Sequence, residues 1–222
     1  MFTILSVGIA PTVALMSFFY LKDRITEPIP LIIRTFIFGA LLVFPIMFIQ
    51  YAFSVEGIGT PFTQAFLISS WTEEFFKWFI FMYVIYHHTE FDAHYDGIVY
   101  AVSISLGFAT VENILYLLVH GIEFAFTRAL FPVSSHALFG VVMGYHFGKA
   151  KMYESKRVLN ILLALFIPFV LHGSYNYILE IVVSDWFFVM IPFMILLWAY
   201  GLHRMKSANQ QYLENRHKRV GT

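Results

Sequence analysis

Residues 63–86 read TQAFLISSWTEEFFKWFIFMYVIY, an apolar stretch that is long enough to cross a bilayer yet contains three charged side chains. A helix of about 20 apolar residues spans roughly 30 Å of hydrocarbon. Glu73, Glu74 and Lys77 lie near its middle, where each charge costs at least about 2.5 kcal/mol on insertion scales. This cost predicts that the three groups neutralise one another or carry out a function.

Further apolar stretches of similar length flank this one, in a chain that is 59% hydrophobic and 13% charged. Typical soluble domains have roughly 25% charged residues, so the composition indicates a membrane protein. We predict an all-α, polytopic transmembrane helical bundle of about seven spans in residues 1–203, followed by a basic cytoplasmic tail in residues 204–222. The other spans are predicted near residues 2–21, 32–53, 97–119, 129–148, 158–180 and 186–203.

Positively charged residues predict the orientation of this bundle, because short cytoplasmic loops collect Lys and Arg. Twelve of the 14 Lys and Arg residues fall in the first loop, the fifth loop and the tail, which share one side of a seven-span protein. The N-terminus is therefore predicted to lie outside and the C-terminus in the cytoplasm.

Composition also excludes several classes of function. A net charge of zero gives no electrostatic footprint for nucleic acid, and the absence of cysteine excludes disulfides, thiolate catalysis and cysteine-bound zinc. No Gly-rich phosphate-binding loop is present, so no cofactor is predicted. The lipid bilayer is the partner that composition implies, and the oligomeric state is left open. Because all loops are short, the side chains of the helices must carry the chemistry.

Lys77 follows Glu73 by four residues and Glu74 by three, so on a helix it can pair with either carboxylate. The two carboxylates repel each other, and their titrations should be coupled. If Lys77 pairs with one of them, the other is free to act as a general base. The alternative is an internal ion-pair network that only locks helices together.

Three other predicted spans carry polar residues that are unusual in lipid: Glu112, His136, and His172 with Asn176 one turn later. From the predicted entry points, Glu112 and His172 lie about 21 to 22 Å above the cytoplasmic face, and His136 lies about 10 Å below the outer face. In a hydrocarbon core of about 30 Å, a position about 10 Å below the outer face is about 20 Å above the cytoplasmic face, so the three residues lie at similar depths. We therefore predict that the residues converge with Glu73 and Glu74 in one cavity that opens outward.

Other polar residues are predicted to have structural roles. Asp96 is a candidate cap for the fourth span, and Gln50 lies near a span end, where its side chain can reach the interface. Arg128 is predicted in a loop on the outer side. None of these positions is predicted to belong to the site.

Carboxylate, imidazole and amide groups together indicate hydrolysis by an activated water. A glutamate can accept the proton of the water while His and Asn donors stabilise the oxyanion of the intermediate. A metal alternative would use His136, His172 and Glu112 as zinc ligands, but the sequence has no HExxH motif, so we favour the metal-free mechanism. A proton-coupled membrane transporter and a non-catalytic scaffold subunit remain alternatives.

The charged motifs resemble those of one family. Residues 73–77 (EEFFK) resemble the EExxK motif of the PrsW-type intramembrane proteases, residues 108–113 (FATVEN) resemble their FxxxEN segment, and His136 and His172 match their two histidine motifs. The resemblance covers nearly the whole chain, including the stretch DGIVY at residues 96–100. It implies a multi-pass protein of the bacterial plasma membrane that cleaves other membrane proteins.

The resemblance further implies a substrate and a pathway. The substrate would be a single-pass, membrane-anchored anti-sigma factor of the RsiW type, cleaved at site 1 near the outer membrane face. This cut would start regulated proteolysis and release a sigma factor under envelope stress.

The wider superfamily includes the CAAX prenyl endopeptidases, and similarity to them implies roles for individual residues. Glu73 would be the base, Glu74 would pair with Lys77, and His172 with Asn176 would hold the oxyanion. Lys77 lies one residue before the position of the arginine in the CAAX pattern, and Glu112 stands where that pattern has a histidine. The choice between Glu73 and Glu74, and the role of Glu112, therefore stay open.

Overall fold

The computed structural model describes residues 1–57 and 59–220, with side chains described as far as Gln210. Within these ranges the chain is helical and has no strand. The helices are α1 Phe2–Leu21, α2 Ile29–Val55, α3 Trp71–Val84, α4 Asp96–His120, α5 Ala125–Arg128, α6 Ser134–Met152, α7 Arg157–Ile181 and α8 Phe187–Val220. The predicted all-α membrane bundle is confirmed.

Two π-helical segments extend these helices. Thr63–Ser70 leads directly into α3, and Ala129–Val133 joins α5 to α6. Among the described residues, six helical segments are long and apolar enough to cross a membrane. The third of the seven predicted spans, residues 63–86, is helical over residues 63–84. It is not among those six because it contains three charged residues, so its crossing of the membrane stays a prediction.

Helices α4 and α6 form the centre of the bundle. Residues 94–110 and 133–148 are buried without interruption. The two helices cross at Gly97 and Gly144, where a Cβ on either residue would collide with the backbone of the other. Small residues allow transmembrane helices to approach this closely. Helix α4 also packs against α1 and α2, so it contacts most of the elements that carry the site.

The outer helices expose large apolar side chains, such as Phe44 and Phe48 on α2 and Leu196 on α8. A surface of this kind fits contact with lipid and not with water. It supports a multi-pass membrane protein. Which end faces the cytoplasm remains a prediction from the distribution of Lys and Arg.

Two details differ from expectation. Asp96 does not cap α4: the cap position is Tyr95, and the Asp96 Oδ2 atom instead accepts backbone N–H bonds from the preceding loop, one of them from Asp92 at 3.0 Å. The capping prediction was wrong because the loop turns back over the helix start. The predicted tail begins as a continuation of α8, and its basic side chains beyond Gln210 lie outside the described residues.

Candidate active site

Lys77 and Glu74 form a fully buried ion pair in α3. The Lys77 Nζ atom lies 2.8 Å from Glu74 Oε1, and neither side chain is exposed to solvent. Glu73 Oε2 is farther from the same Nζ, at 3.6 Å. Lys77 thus forms ion pairs with both carboxylates, the shorter one with Glu74, and the choice of the base between them stays a prediction.

His172 on α7 is the second partner of Glu74. Its Nδ1 atom lies 2.9 Å from Glu74 Oε1. Because an ionised carboxylate only accepts hydrogen bonds, Nδ1 carries the hydrogen. The other ring nitrogen, Nε2, then presents a lone pair, and it lies 3.9 Å from Glu73 Oε2.

His136 on α6 links Lys77 to Glu112. Its Nδ1 atom lies 3.1 Å from Lys77 Nζ, and an ammonium group only donates, so Nδ1 accepts. The hydrogen is therefore on Nε2, which donates to Glu112 Oε2 at 3.0 Å. The Arg128 guanidinium, 3.1 Å from Glu112 Oε1, balances the charge of that carboxylate. Glu112 thus fixes the orientation of His136.

The two oxygens of Glu73 have different surroundings. Oε1 accepts hydrogen bonds from Gln50 Nε2 and Ser69 Oγ, each at 3.2 Å. Oε2 is buried and has no hydrogen-bond partner in the described part of the chain. It faces His172 Nε2 at 3.9 Å and His136 Nε2 at 4.0 Å. Polar atoms at this separation are within reach of one bridging water.

A polar cavity of about 420 Å³ adjoins Glu73 through Gln50 and Ser69. Asn176 lines it, and its Nδ2 atom donates to the hydroxyls of Ser69 at 2.9 Å and Ser70 at 3.2 Å. The cavity is lined by Gln50, Gln64, Ala65, Ser69, Asn176, Leu179 and Glu180. The structure therefore places Asn176 beside Glu73, with its amide bound to serines and not to an ionised group.

Local sequence brings these elements together. Gly173, next to His172, lies against the Phe66 ring, which a Cβ would strike. The missing side chain lets α7 approach the π-helical segment Thr63–Ser70, and this approach positions His172 over Glu74. In that segment, Ser70 Oγ donates to the backbone oxygen of Ala65 at 2.7 Å.

The predicted residues are in contact, since one network of hydrogen bonds and ion pairs joins Glu73, Glu74, Lys77, Glu112, His136 and His172. None of the six lines the polar cavity described above, so one cavity shared by all of them and open to the outside stays a prediction. Sequence reasoning missed Gln50, Ser69 and Arg128. Gln50 does not reach the interface as expected, because its amide binds Glu73. Arg128 is 9% exposed, although it was predicted in a loop. A lone amide within apolar α2 was the available signal for Gln50.

Comparison with known proteins identifies the family. The family described as "PrsW family intramembrane metalloprotease" matches residues 27–200. The chain belongs to the PrsW family. It is 60% identical to Protease PrsW of Oceanobacillus iheyensis, over 97% of this chain and all of the relative. It is 54% identical to Protease PrsW of Bacillus subtilis, over 94% of this chain and 96% of the relative. No solved structure shows a significant match.

PrsW family membership makes the chain an intramembrane protease, and with the apolar helices it indicates a multi-pass protein of the bacterial cell membrane. Family membership therefore favours a protease over the two alternatives, a proton-coupled transporter and a non-catalytic scaffold subunit.

The family description also names a metal, so the donor groups require a test of fit. Glu73, Glu74, His136 and His172 have ligand atoms within 4.8 Å of one another, and their types suit zinc. However, Lys77 holds Glu74 Oε1 and His136 Nδ1, and His136 Nε2 donates to Glu112. Three donor atoms remain: His172 Nε2, and the buried Glu73 Oε2 and Glu74 Oε2, which have no hydrogen-bond partner among the described residues. The Lys77 ammonium lies 3.6 Å from Glu73 Oε2 and would repel a metal ion placed between them. The hydrogen bonds of the site therefore favour Lys77 over a metal ion as the cation beside these carboxylates.

Proposed function

We propose that this PrsW family protease hydrolyses a peptide bond with a water activated by Glu73, without a metal ion. The observation that carries the proposal is Glu73 Oε2, which has no hydrogen-bond partner in the described part of the chain and lies 3.9 Å from the lone pair of His172 Nε2, with the Lys77 ammonium 3.6 Å away. Hydrogen bonds from Gln50 and Ser69 fix the other oxygen, so Oε2 is held in one direction. A positioned carboxylate of this kind suits a general base.

The reaction follows from this geometry. The water donates one hydrogen to Glu73 Oε2 and the other to His172 Nε2, which leaves an oxygen lone pair to attack the carbonyl carbon. As the C–O bond forms, a proton passes to Glu73, and the Asn176 amide at the cavity wall turns from its serines to stabilise the oxyanion. The C–N bond then breaks, and the proton passes from Glu73 to the leaving amine.

The remaining site residues act by positioning. Glu74 holds His172 in the required tautomer, and Lys77 balances the charge of Glu74. Glu112 and Arg128 hold His136, which accepts a hydrogen bond from Lys77. In this assignment Glu73, His172 and Asn176 contact the reacting atoms.

The substrate that we propose is a single-pass, membrane-anchored anti-sigma factor of the RsiW type, cut at site 1 to release a sigma factor under envelope stress. The motif resemblance supports this substrate class, and the relatives named Protease PrsW support cleavage of a protein. The polar cavity beside Glu73 supports entry of an extended peptide, because its amide and hydroxyl groups can bind the peptide backbone.

The test uses purified protein in detergent with a tagged single-pass substrate. Glu73→Gln should lower the cleavage rate by about 10² to 10⁴, the usual contribution of a general base. Glu56→Gln, an exposed carboxyl change outside the site, should cleave at the wild-type rate. A zinc-selective chelator, with Ca²⁺ and Mg²⁺ present, should leave the rate of the wild type unchanged.

Two outcomes contradict the proposal. Full activity of Glu73→Gln removes Glu73 as the base, and Glu74→Gln, assayed in parallel, tests the other carboxylate. Loss of cleavage on chelation that zinc restores, in a protein that stays folded, supports a metal mechanism instead.

A further inference from the structure

A second group of carboxylates lies at the end of α4 opposite Glu112. Asp96 is the first residue of α4, and Asp23 and Glu27 lie in the connection between α1 and α2. One carboxylate oxygen from each residue lies within 4.8 Å of the other two. By the predicted orientation this cluster faces the cytoplasm, on the other side of the membrane from the proposed active site.

Two of the three residues are buried, Asp23 is half-buried, and the cluster is incompletely hydrogen bonded. Asp96 is 0% exposed and Glu27 is 4% exposed. The Asp96 Oδ1 and Asp23 Oδ2 atoms are buried and have no hydrogen-bond partner within the described ranges. Other oxygens of the cluster are used: Glu27 Oε2 accepts from the Tyr100 hydroxyl, and Asp96 Oδ2 accepts from the preceding loop. The two orphan oxygens indicate a missing partner, because buried polar atoms are normally satisfied.

No described side chain supplies a positive charge that would balance these carboxylates. None of the three carboxylates forms an ion pair with a described Lys, Arg or His. Buried carboxylates such as Asp96 and Glu27, which have no counter-charge among the described side chains, take up protons or bind a cation.

We propose that Asp23, Glu27 and Asp96 bind a hard divalent cation, Ca²⁺ or Mg²⁺. All the donors are carboxylate oxygens, which these ions prefer, and the cluster offers no nitrogen or sulfur ligand from its three members. Oxygens within 4.8 Å of one another can share one Ca²⁺, whose bonds to oxygen are about 2.3 to 2.6 Å long. Waters or backbone oxygens would complete the shell. The ion would tie the α1–α2 connection to the start of α4.

Thermal unfolding of the full chain in detergent tests this site. After chelation, Ca²⁺ or Mg²⁺ at 100 times its Kd should raise the unfolding midpoint by about 5 to 10 °C. Asp96→Asn and Glu27→Gln should abolish this rise. Glu154→Gln, whose parent side chain is 86% exposed, is the matched control and should keep the rise.

Terbium gives a second measurement that does not depend on stability. Tb³⁺ replaces Ca²⁺ in oxygen sites and emits when a nearby tyrosine is excited, and the Tyr100 hydroxyl binds Glu27 directly. Emission should appear with the wild type, weaken in Tyr100→Phe and disappear when Ca²⁺ is added.

Three results overturn the proposal: no midpoint shift with either ion, an equal shift in Asp96→Asn, or emission that Ca²⁺ does not displace. Stabilisation by acid without any response to the ions would make the cluster a proton site and would also overturn it. Because these readouts are unfolding and emission, they are independent of the proposed cleavage reaction.

Discussion

At the scale of single residues, Lys77 holds the charge balance of the candidate site. Its ammonium lies between two carboxylates and 4.4 Å from the centre of the Phe108 ring, with no exposure to solvent. Buried charges are stable when they are paired, and they become costly when one partner is removed. The pair with Glu74 is therefore a sensitive point for stability as well as for the position of His172.

We expect Lys77→Met to destabilise the protein by roughly 3 to 5 kcal/mol, because it leaves the buried Glu74 carboxylate without its partner. Chemical unfolding in detergent measures this change. The double variant Lys77→Met with Glu74→Gln should recover most of the stability but not the cleavage activity. A wild-type unfolding midpoint for Lys77→Met would show that the pair is not formed.

Gln50→Leu tests the anchor of the proposed base. The variant removes one hydrogen bond to the Glu73 carboxylate, and bonds to charged groups contribute about 1.5 to 3 kcal/mol, or roughly 10- to 100-fold in rate. We expect kcat to fall by this factor while KM changes little. A rise in KM at constant kcat would instead make Gln50 a substrate contact.

The residues that could be predicted from sequence were those whose type is improbable in lipid. Glu73, Glu74 and Lys77 stand out within any apolar helix. Gln50 and Arg128 did not, because an amide or a guanidinium near a span end is ordinary, and its partner lies on another helix. Their roles depend on packing between α2, α3 and α4, which the sequence of one helix does not specify.

At the scale of helices, the crossing of α4 and α6 controls the relative positions of Glu112 and His136. We expect Gly144→Ala to lower stability by about 1 to 3 kcal/mol and to reduce cleavage, because its Cβ meets the Gly97 backbone. Gly201→Ala is the matched control, since its Cβ meets the flexible end of Leu138 at 2.7 Å. Equal unfolding midpoints for the two variants would contradict the close crossing.

Helix positions followed well from apolar length, since each predicted span coincides with a helical segment. The π-helical turns of Thr63–Ser70 were not predicted, because no local residue pattern marks them. They depend on the contact of Phe66 with Gly173 on a distant helix. The close approach of α7 could therefore not be predicted from local sequence, although the predicted depths in the membrane did place His172 near Glu74.

At the scale of the whole molecule, pH should act on the acidic cluster. Glu27 faces Tyr100, Asp96, Asp23 and Asp92, and its pKa of about 7 lies above the ordinary 4.5. Between these values the folded state binds more protons than the unfolded state, so stability falls as pH rises. In chelator, the unfolding midpoint of the wild type should fall between about pH 4.5 and pH 7 more steeply than that of Glu27→Gln. Equal slopes would contradict the buried state of Glu27.

The proposed cation site also changes how chelator experiments on cleavage are interpreted. A chelator could inactivate the protease by loosening the connection between α1, α2 and α4, far from Glu73. Asp96→Asn separates the two effects: if it cleaves and is insensitive to chelator, the sensitivity of the wild type comes from the acidic cluster and not from the candidate active site.

The charges of Glu73, Glu74 and Lys77 should also affect how their helix inserts into the membrane during synthesis. Its three charges each oppose partition into lipid, so residues 63–84 should be a poor membrane anchor by themselves. The charges find partners on α2, α4, α6 and α7, which are mostly synthesised later. When only about the first 90 residues have left the ribosome, most of these partners are not yet made, and we expect residues 63–84 to insert poorly at the translocon. Stable insertion of this third predicted span should therefore require the C-terminal half of the chain.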